Sequence, residues 1–245
     1  MSKQPVAWLE VAADDRLALA KFYSDLFGWK YADFADNNYT TLVTGSVGIG
    51  INQRTPDNPG AIAFYAHTTD IDADLEKANR LGGQTAVPKM PIPGDEYIAF
   101  LMDPQSNLMG LGQFKSTEPQ GTSGRPVVWL EMAGSDRVAL AEFYAGMFGW
   151  TYQDYPNSNY TTLDTGSTGL GLMTSTEENP GGTSFYIHSE DIEGDLARIT
   201  AAGGKVMMEK TYIPGTGWFA FFMDPAGNAV AVADFREGQQ ADNAG

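Results

Sequence analysis

The chain has 245 residues, 42% of them hydrophobic and 12% aromatic, a composition that describes a folded globular protein rather than a disordered one. It carries 31 acidic residues against 15 basic ones, a net charge of −16, and this field repels phosphate backbones and anionic lipid surfaces, so nucleic acid and membrane are not expected as partners. It has no cysteine, which excludes disulfides, thiolate zinc sites and cysteine nucleophiles. A cytoplasmic location is expected: no signal region precedes the first strand, and no apolar run approaches the ~20 residues that span a bilayer.

In chain order, residues 6–12 alternate bulky and small side chains and read as a strand. Asp14 and Asp15 offer N-cap oxygens, after which Leu19, Phe22, Tyr23, Leu26 and Phe27 recur at helical spacing. Gly28 is placed to end that helix in the left-handed conformation. Strands are predicted at 29–34, 39–44 and 47–52, the last two joined at Gly45-Ser46, with a polar loop over 54–60. The order then begins again. A strand at 61–68 leads to a helix over 70–81 that stops at Gly82-Gly83, then to strands at 84–88, 97–102 and 108–114. Met90, Met102 and Met223 read as core filling, and Phe27, Trp29, Phe148 and Trp150 as core aromatics at helix ends.

The whole pattern recurs downstream. Pro5–Trp29 returns as Pro126–Trp150, an offset of 126 − 5 = 121 residues that persists without a gap. Asn38-Tyr39-Thr40-Thr41-Leu42 pairs with Asn159-Tyr160-Thr161-Thr162-Leu163, and Met102-Asp103-Pro104 pairs with Met223-Asp224-Pro225. A gapless repeat of this length means one fold present twice. We divide the chain into domains at 1–114 and 126–235, a polar linker at 115–125 and a flexible tail at 236–245. The sequons at Asn38 and Asn159 read as turn residues opening a strand.

The β-α-β-β-β order, the helix ending F-Y-x-x-x-F-G-W, the second helix ending G-G and the D-P-x-x-N turn together resemble the vicinal-oxygen-chelate superfamily. That superfamily includes glyoxalase I, extradiol dioxygenases and bleomycin-resistance proteins, and the closest likeness is to two-domain, glyoxalase-like bacterial proteins. The resemblance implies an α+β fold of tandem βαβββ modules, two per domain and four in all. Pairs of modules would curl into open eight-stranded cups with helices outside and ligand inside, each cup either built within one repeat or exchanged between the two. Metal-dependent members place His, Gln or Glu at four strand positions. Here the matching positions are Trp8, Gly50, Ala63 and Gly110, and in the second repeat Trp129, Gly171, Ser184 and Ala231. None of these suits a divalent cation, so neither metal nor cofactor is expected.

Strand alternation places other side chains on the same inner face. Glu10 follows Trp8 and Glu131 follows Trp129, while Tyr65 and His67 follow Ala63, and Tyr186 and His188 follow Ser184. An indole offers a flat wall for an aromatic ring or a cation, and a nearby carboxylate neutralises the cation. Tyr97 and Trp218 are further candidates for the wall, their strand parity being open. His67 and His188, the only histidines, are candidate catalytic acid–base groups beside a carboxylate; the alternative is that each only caps its strand end. The leading expectation is a metal-independent protein that binds a small aromatic or cationic molecule, for sequestration or resistance. The alternative is a glyoxalase-like lyase or isomerase acting on a small reactive carbonyl compound. A third reading is a scaffold whose cups are filled by side chains. A monomer with an internal pseudo-two-fold and a homodimer both fit the repeat.

Overall fold

The computed structural model describes residues 3–56, 60, 62–116, 123–177 and 182–235. The expected tail at 236–245, residues 117–122 of the expected linker and most of the loop tip at 57–61 lie outside the described residues.

In the first repeat the order is β1 (Val6–Ala13), α1 (Arg16–Phe27), β2 (Lys30–Phe34), β3 (Tyr39–Val43) and β4 (Gly48–Gln53), then β5 (Ala63–His67), α2 (Ile71–Arg80), β6 (Gln84–Ile92), β7 (Glu96–Met102) and β8 (Leu108–Gln113). The second repeat follows with β9 (Val127–Gly134), α3 (Arg137–Phe148), β10 (Thr151–Tyr155), β11 (Tyr160–Asp164) and β12 (Leu170–Thr174). Its second module is β13 (Gly182–His188), α4 (Ile192–Ala201), β14 (Lys205–Ile213), β15 (Gly217–Met223) and β16 (Ala229–Asp234). Each repeat supplies one mixed, unclosed eight-stranded sheet, in the orders β2-β3-β4-β1-β5-β8-β7-β6 and β10-β11-β12-β9-β13-β16-β15-β14. This is the expected α+β fold.

Local chemistry accounts for the helix limits. The Asp15 side chain accepts from the Ala18 backbone N–H, and Asp136, Asp70 and Asp191 cap the other three helices in the same way. Gly28 closes α1 at φ 76°, a conformation that a Cβ would penalise. No helix among the described residues is long and apolar enough to cross a membrane.

One strand departs from expectation. β6 runs to Ile92 through Pro88 and Pro91, well past the short strand predicted at 84–88. Among the described residues it pairs only with β7, with register shifts between Thr85 and Val87 and between Val87 and Met90. Proline lacks the ladder N–H, but an edge strand has one side on which that N–H is not needed. The same edge position corrects the reading of Met90 as core filling: it is 42% exposed.

Packing groups the chain into two compact units. One contains Met1–Glu10, Ala61–Gln120 and Trp129–Thr183; the other contains Val11–Gly60, Gly121–Val128 and Ser184–Gly245. In the first unit α3 lays Tyr144 against Phe64, ring centroids 6.1 Å apart, with Trp150 and Phe148 completing the cluster. The Tyr144 hydroxyl, fully buried, donates to Asp103 at 2.7 Å. In the second unit α1 is held alike: Tyr23 stacks on Trp29 at 5.3 Å and donates to Asp224 at 2.8 Å. Burial holds both phenols well above their usual pKa, with the neighbouring aspartate charge adding to the shift, so each keeps its proton and stays a donor. Asp103 also accepts from the Gln105 and Asn107 backbones and the Asn107 amide, which explains why the D-P-x-x-N turn carries a buried acid.

Candidate functional site

The half-sheet β10-β11-β12-β9 has two faces that burial and bonding separate. Asp154 accepts from Thr161 at 2.7 Å and pairs with Arg137 of α3 at 3.0 Å, so Asp154 and Thr161 face the helix. Gln153, Tyr155, Tyr160 and Thr162 therefore project from the other face. Register puts Gln153, Thr162, Gly171 and Glu131 in one row across the four strands, and Tyr155, Tyr160, Met173 and Ala133 in the row beside it.

Tyr160 reaches across from its row. A Cβ at Gly171 would overlap its hydroxyl, so the glycine is what lets the phenol lie there. The Trp129 indole N–H donates to the Tyr160 oxygen at 2.9 Å, and the Tyr160 O–H donates to Glu131 Oε2 at 3.1 Å. Burial first, and then the Glu131 charge, hold Tyr160 far above the usual phenol range. The proton therefore stays on the phenol, and the chain Trp129–Tyr160–Glu131 runs from donor to carboxylate.

The first repeat supplies a second carboxylate–phenol pair. Trp8 lies opposite Tyr65 and Glu10 opposite Ala63 in the β1–β5 ladder. The Tyr65 hydroxyl donates to Glu10 Oε2 at 2.5 Å, a short bond of the kind that a charged acceptor makes. Its ring covers Gly110 and packs on Phe100 and Phe114, centroids 5.4 and 6.3 Å away. Trp8, Glu10, Trp129 and Glu131 are half-buried, while Tyr65, Tyr186 and Ser184 are buried. Tyr186 sits among Phe219, Phe221 and Phe235.

The histidines stand apart from these pairs. His67 ends β5 four residues beyond Ala63, which puts it about 13 Å along the strand from the residue facing Glu10. Its Nδ1 is buried and has no hydrogen-bond partner among the described residues. Burial lowers its pKa, partly offset by the Gly112 carbonyl. His188 Nε2 lies 3.9 Å from Glu190 Oε1, whose side chain is 75% exposed. Tyr97 and Trp218 turn to the helix face. Lys89 sits over Tyr97 at 4.6 Å and pairs with Asp72 of α2, and Lys210 sits over Trp218 at 4.9 Å and pairs with Glu193 of α4.

A divalent metal at the four matching positions of either repeat finds a poor donor set. Indole, glycine, alanine and serine supply no carboxylate or imidazole. Phenol oxygens fill the space above Gly50, covered by Tyr39, and above Gly171, covered by Tyr160. Among the described residues no group of three or more His, Asp or Glu side chains converges to hold an ion. Tyr39 and Tyr160 are not among the site residues read from the sequence, where they only open a strand. The usable signal was a tyrosine and a glycine repeating together at the 121-residue offset, two strand positions out of register.

Residues 127–232 match the family model described as Glyoxalase/Bleomycin resistance protein/Dioxygenase superfamily. Over 92% of its length the chain is 28% identical to "Putative glyoxylase CFP32" of Mycobacterium tuberculosis, covering 92% of that protein. It is 26% identical to "Anthracycline biosynthesis protein DauV" of a Streptomyces species, across 96% of this chain and 94% of the relative. Among solved structures, the Mn(II)-bound glyoxalase from Novosphingobium aromaticivorans shares the fold at a TM-score of 0.71 and 15% identity, over 94% of this chain and 82% of that one. The second repeat thus carries the match to the Glyoxalase/Bleomycin resistance protein/Dioxygenase superfamily, and the first repeat, aligned with it without a gap, repeats the same order of elements and the same sheet topology.

Proposed function

We propose that the chain binds a small aromatic or cationic molecule against the helix-free face of its sheets, without a divalent metal, and that binding sequesters the compound rather than changing it. The observation that carries this reading is the Trp129–Tyr160–Glu131 relay above Gly171. It fixes an indole and a carboxylate side by side and half-buried, where a ring stacks and a cation is neutralised. The space a metal ligand would need is occupied by the phenol. The relative named for anthracycline biosynthesis supports an aromatic compound, since anthracyclines are fused-ring aromatics.

Calorimetric titration against a panel of aromatic cations tests the reading. Trp129→Ala and Glu131→Gln should each weaken binding about tenfold, the scale of one lost cation–π or charged contact. Unchanged affinity in both variants would sink it, as would tightly held stoichiometric metal whose removal abolishes binding.

One observation favours a second reading, a lyase or isomerase on a small reactive carbonyl compound. The 2.5 Å Tyr65–Glu10 bond pairs a phenol acid with a carboxylate base. Turnover of a 2-oxoaldehyde that Glu10→Gln abolishes would decide for it.

A further inference from the structure

We propose that the ligand face of the second repeat extends to the sheet edge through Gln153 and Tyr155, and that this extension makes the two repeats select different ligands. The second repeat would take a flat aromatic cation carrying a hydrogen-bonding amide, carbonyl or hydroxyl at its far end. The first would take the same ring system without that group. The inference rests on the ligand-binding reading and deepens it.

The register rows place these residues. Gln153 begins the row that ends at Glu131, three strands away, so their Cα atoms are about 14 Å apart. With both side chains reaching over the sheet, the span between their polar ends suits two or three fused rings. Tyr155 lies directly opposite Tyr160 on the same face and is 47% exposed. No ring among the described residues packs on Tyr155, although a phenol this exposed on a strand gains from a stacked partner. Gln153 is exposed; its amide N–H donates to the neighbouring Asp154 carbonyl at 3.0 Å, which leaves a second N–H to donate and the amide oxygen to accept. Tyr155 and Gln153 thus add a stacking surface and a neutral polar end to the indole and carboxylate at the other end of the row.

The first repeat is built on the same register and lacks the polar end. Phe34 lies opposite Tyr39 as Tyr155 lies opposite Tyr160, and Ala32 lies opposite Thr41 as Gln153 lies opposite Thr162. Phe34 is 48% exposed, so a stacking ring remains there. Ala32 offers no hydrogen bond where Gln153 does. Val43 likewise stands where the second repeat has Asp164. These three substitutions fall on the ligand face or its rim, while the helix-facing Asp33 and Asp154 keep the same bonds to threonine and arginine.

Two probes with one ring system test this on the full chain: 9-aminoacridine, and 9-aminoacridine-4-carboxamide, which adds the far-end amide. By calorimetry the carboxamide should fill one site about tenfold more tightly than the other, whereas the parent should bind both alike. Gln153→Ala should remove the carboxamide's advantage and leave the parent unchanged. Tyr155→Ala should weaken both probes at one site, and Phe34→Ala should weaken them at the other. Both variants change exposed side chains, and matching urea midpoints will show that folding is intact. Equal affinity of the two probes at both sites, or an advantage that survives Gln153→Ala, overturns the proposal. If binding is lost in Glu131→Gln yet untouched by Gln153→Ala and Tyr155→Ala, only the extension fails. If neither probe binds the wild-type chain, the ligand reading itself fails, and the extension with it.

Discussion

At the scale of single residues, Gly171 decides what its neighbours can do. Only hydrogen at that position lets the Tyr160 hydroxyl lie between Trp129 and Glu131. Gly171→Ala should therefore expel the phenol and break both hydrogen bonds, lowering affinity for an aromatic cation about tenfold and stability by about 1–3 kcal/mol. Titration calorimetry and urea unfolding read the two effects separately, and Tyr160→Phe should reproduce the first with less of the second. Trp129 and Glu131 were legible from sequence, because alternation along one strand is a local rule. Tyr160 was not, because its reach is diagonal, across a neighbouring strand and over a glycine. The expected histidine–carboxylate pair met the same obstacle: alternation gives His67 the right face but says nothing of the distance to Glu10 along the ladder.

Among elements, the helices follow their sequence signals closely and the edge strands do not. Capping aspartates, apolar spacing and the glycine stop lie within each helix and act over one turn, so α1 and α3 begin and end where the pattern places them. The extent of β6 depends on β7, which holds it through Pro88 and Pro91 despite their poor strand propensity. The tyrosine–aspartate locks belong to this scale, since each fixes a helix to a turn far away in the chain. Tyr144→Phe removes one of the donors to the buried Asp103 and should lower the stability of the chain by about 1.5–3 kcal/mol, the range for a hydrogen bond to a charged group. Tyr23→Phe should do the same through Asp224. Urea midpoints of the two variants and of their combination check the size and the additivity.

For the whole molecule, the net charge of −16 acts at a distance that no single contact does. It should draw a cationic aromatic probe toward the chain, so that the association rate measured by stopped flow falls about tenfold between low and high salt. A neutral probe of the same rings should show no such slope. The repeat, its module order and its α+β class were all readable in the sequence, because a gapless offset and periodic apolar patterns are properties of one dimension. Strand pairing stays within a repeat, as the two sheet orders show. Each compact unit, by contrast, combines modules of both repeats, with Tyr144 of the second on Phe64 and Asp103 of the first. No periodicity announces that exchange, since either module's apolar helix face would satisfy the same pattern. The sequence by itself put Trp8 with Glu10, and Trp129 with Glu131, on one face of their strands. Only the tertiary structure decided that phenols from another strand join them and cover the glycines, because that meeting depends on register and on the room a missing Cβ leaves.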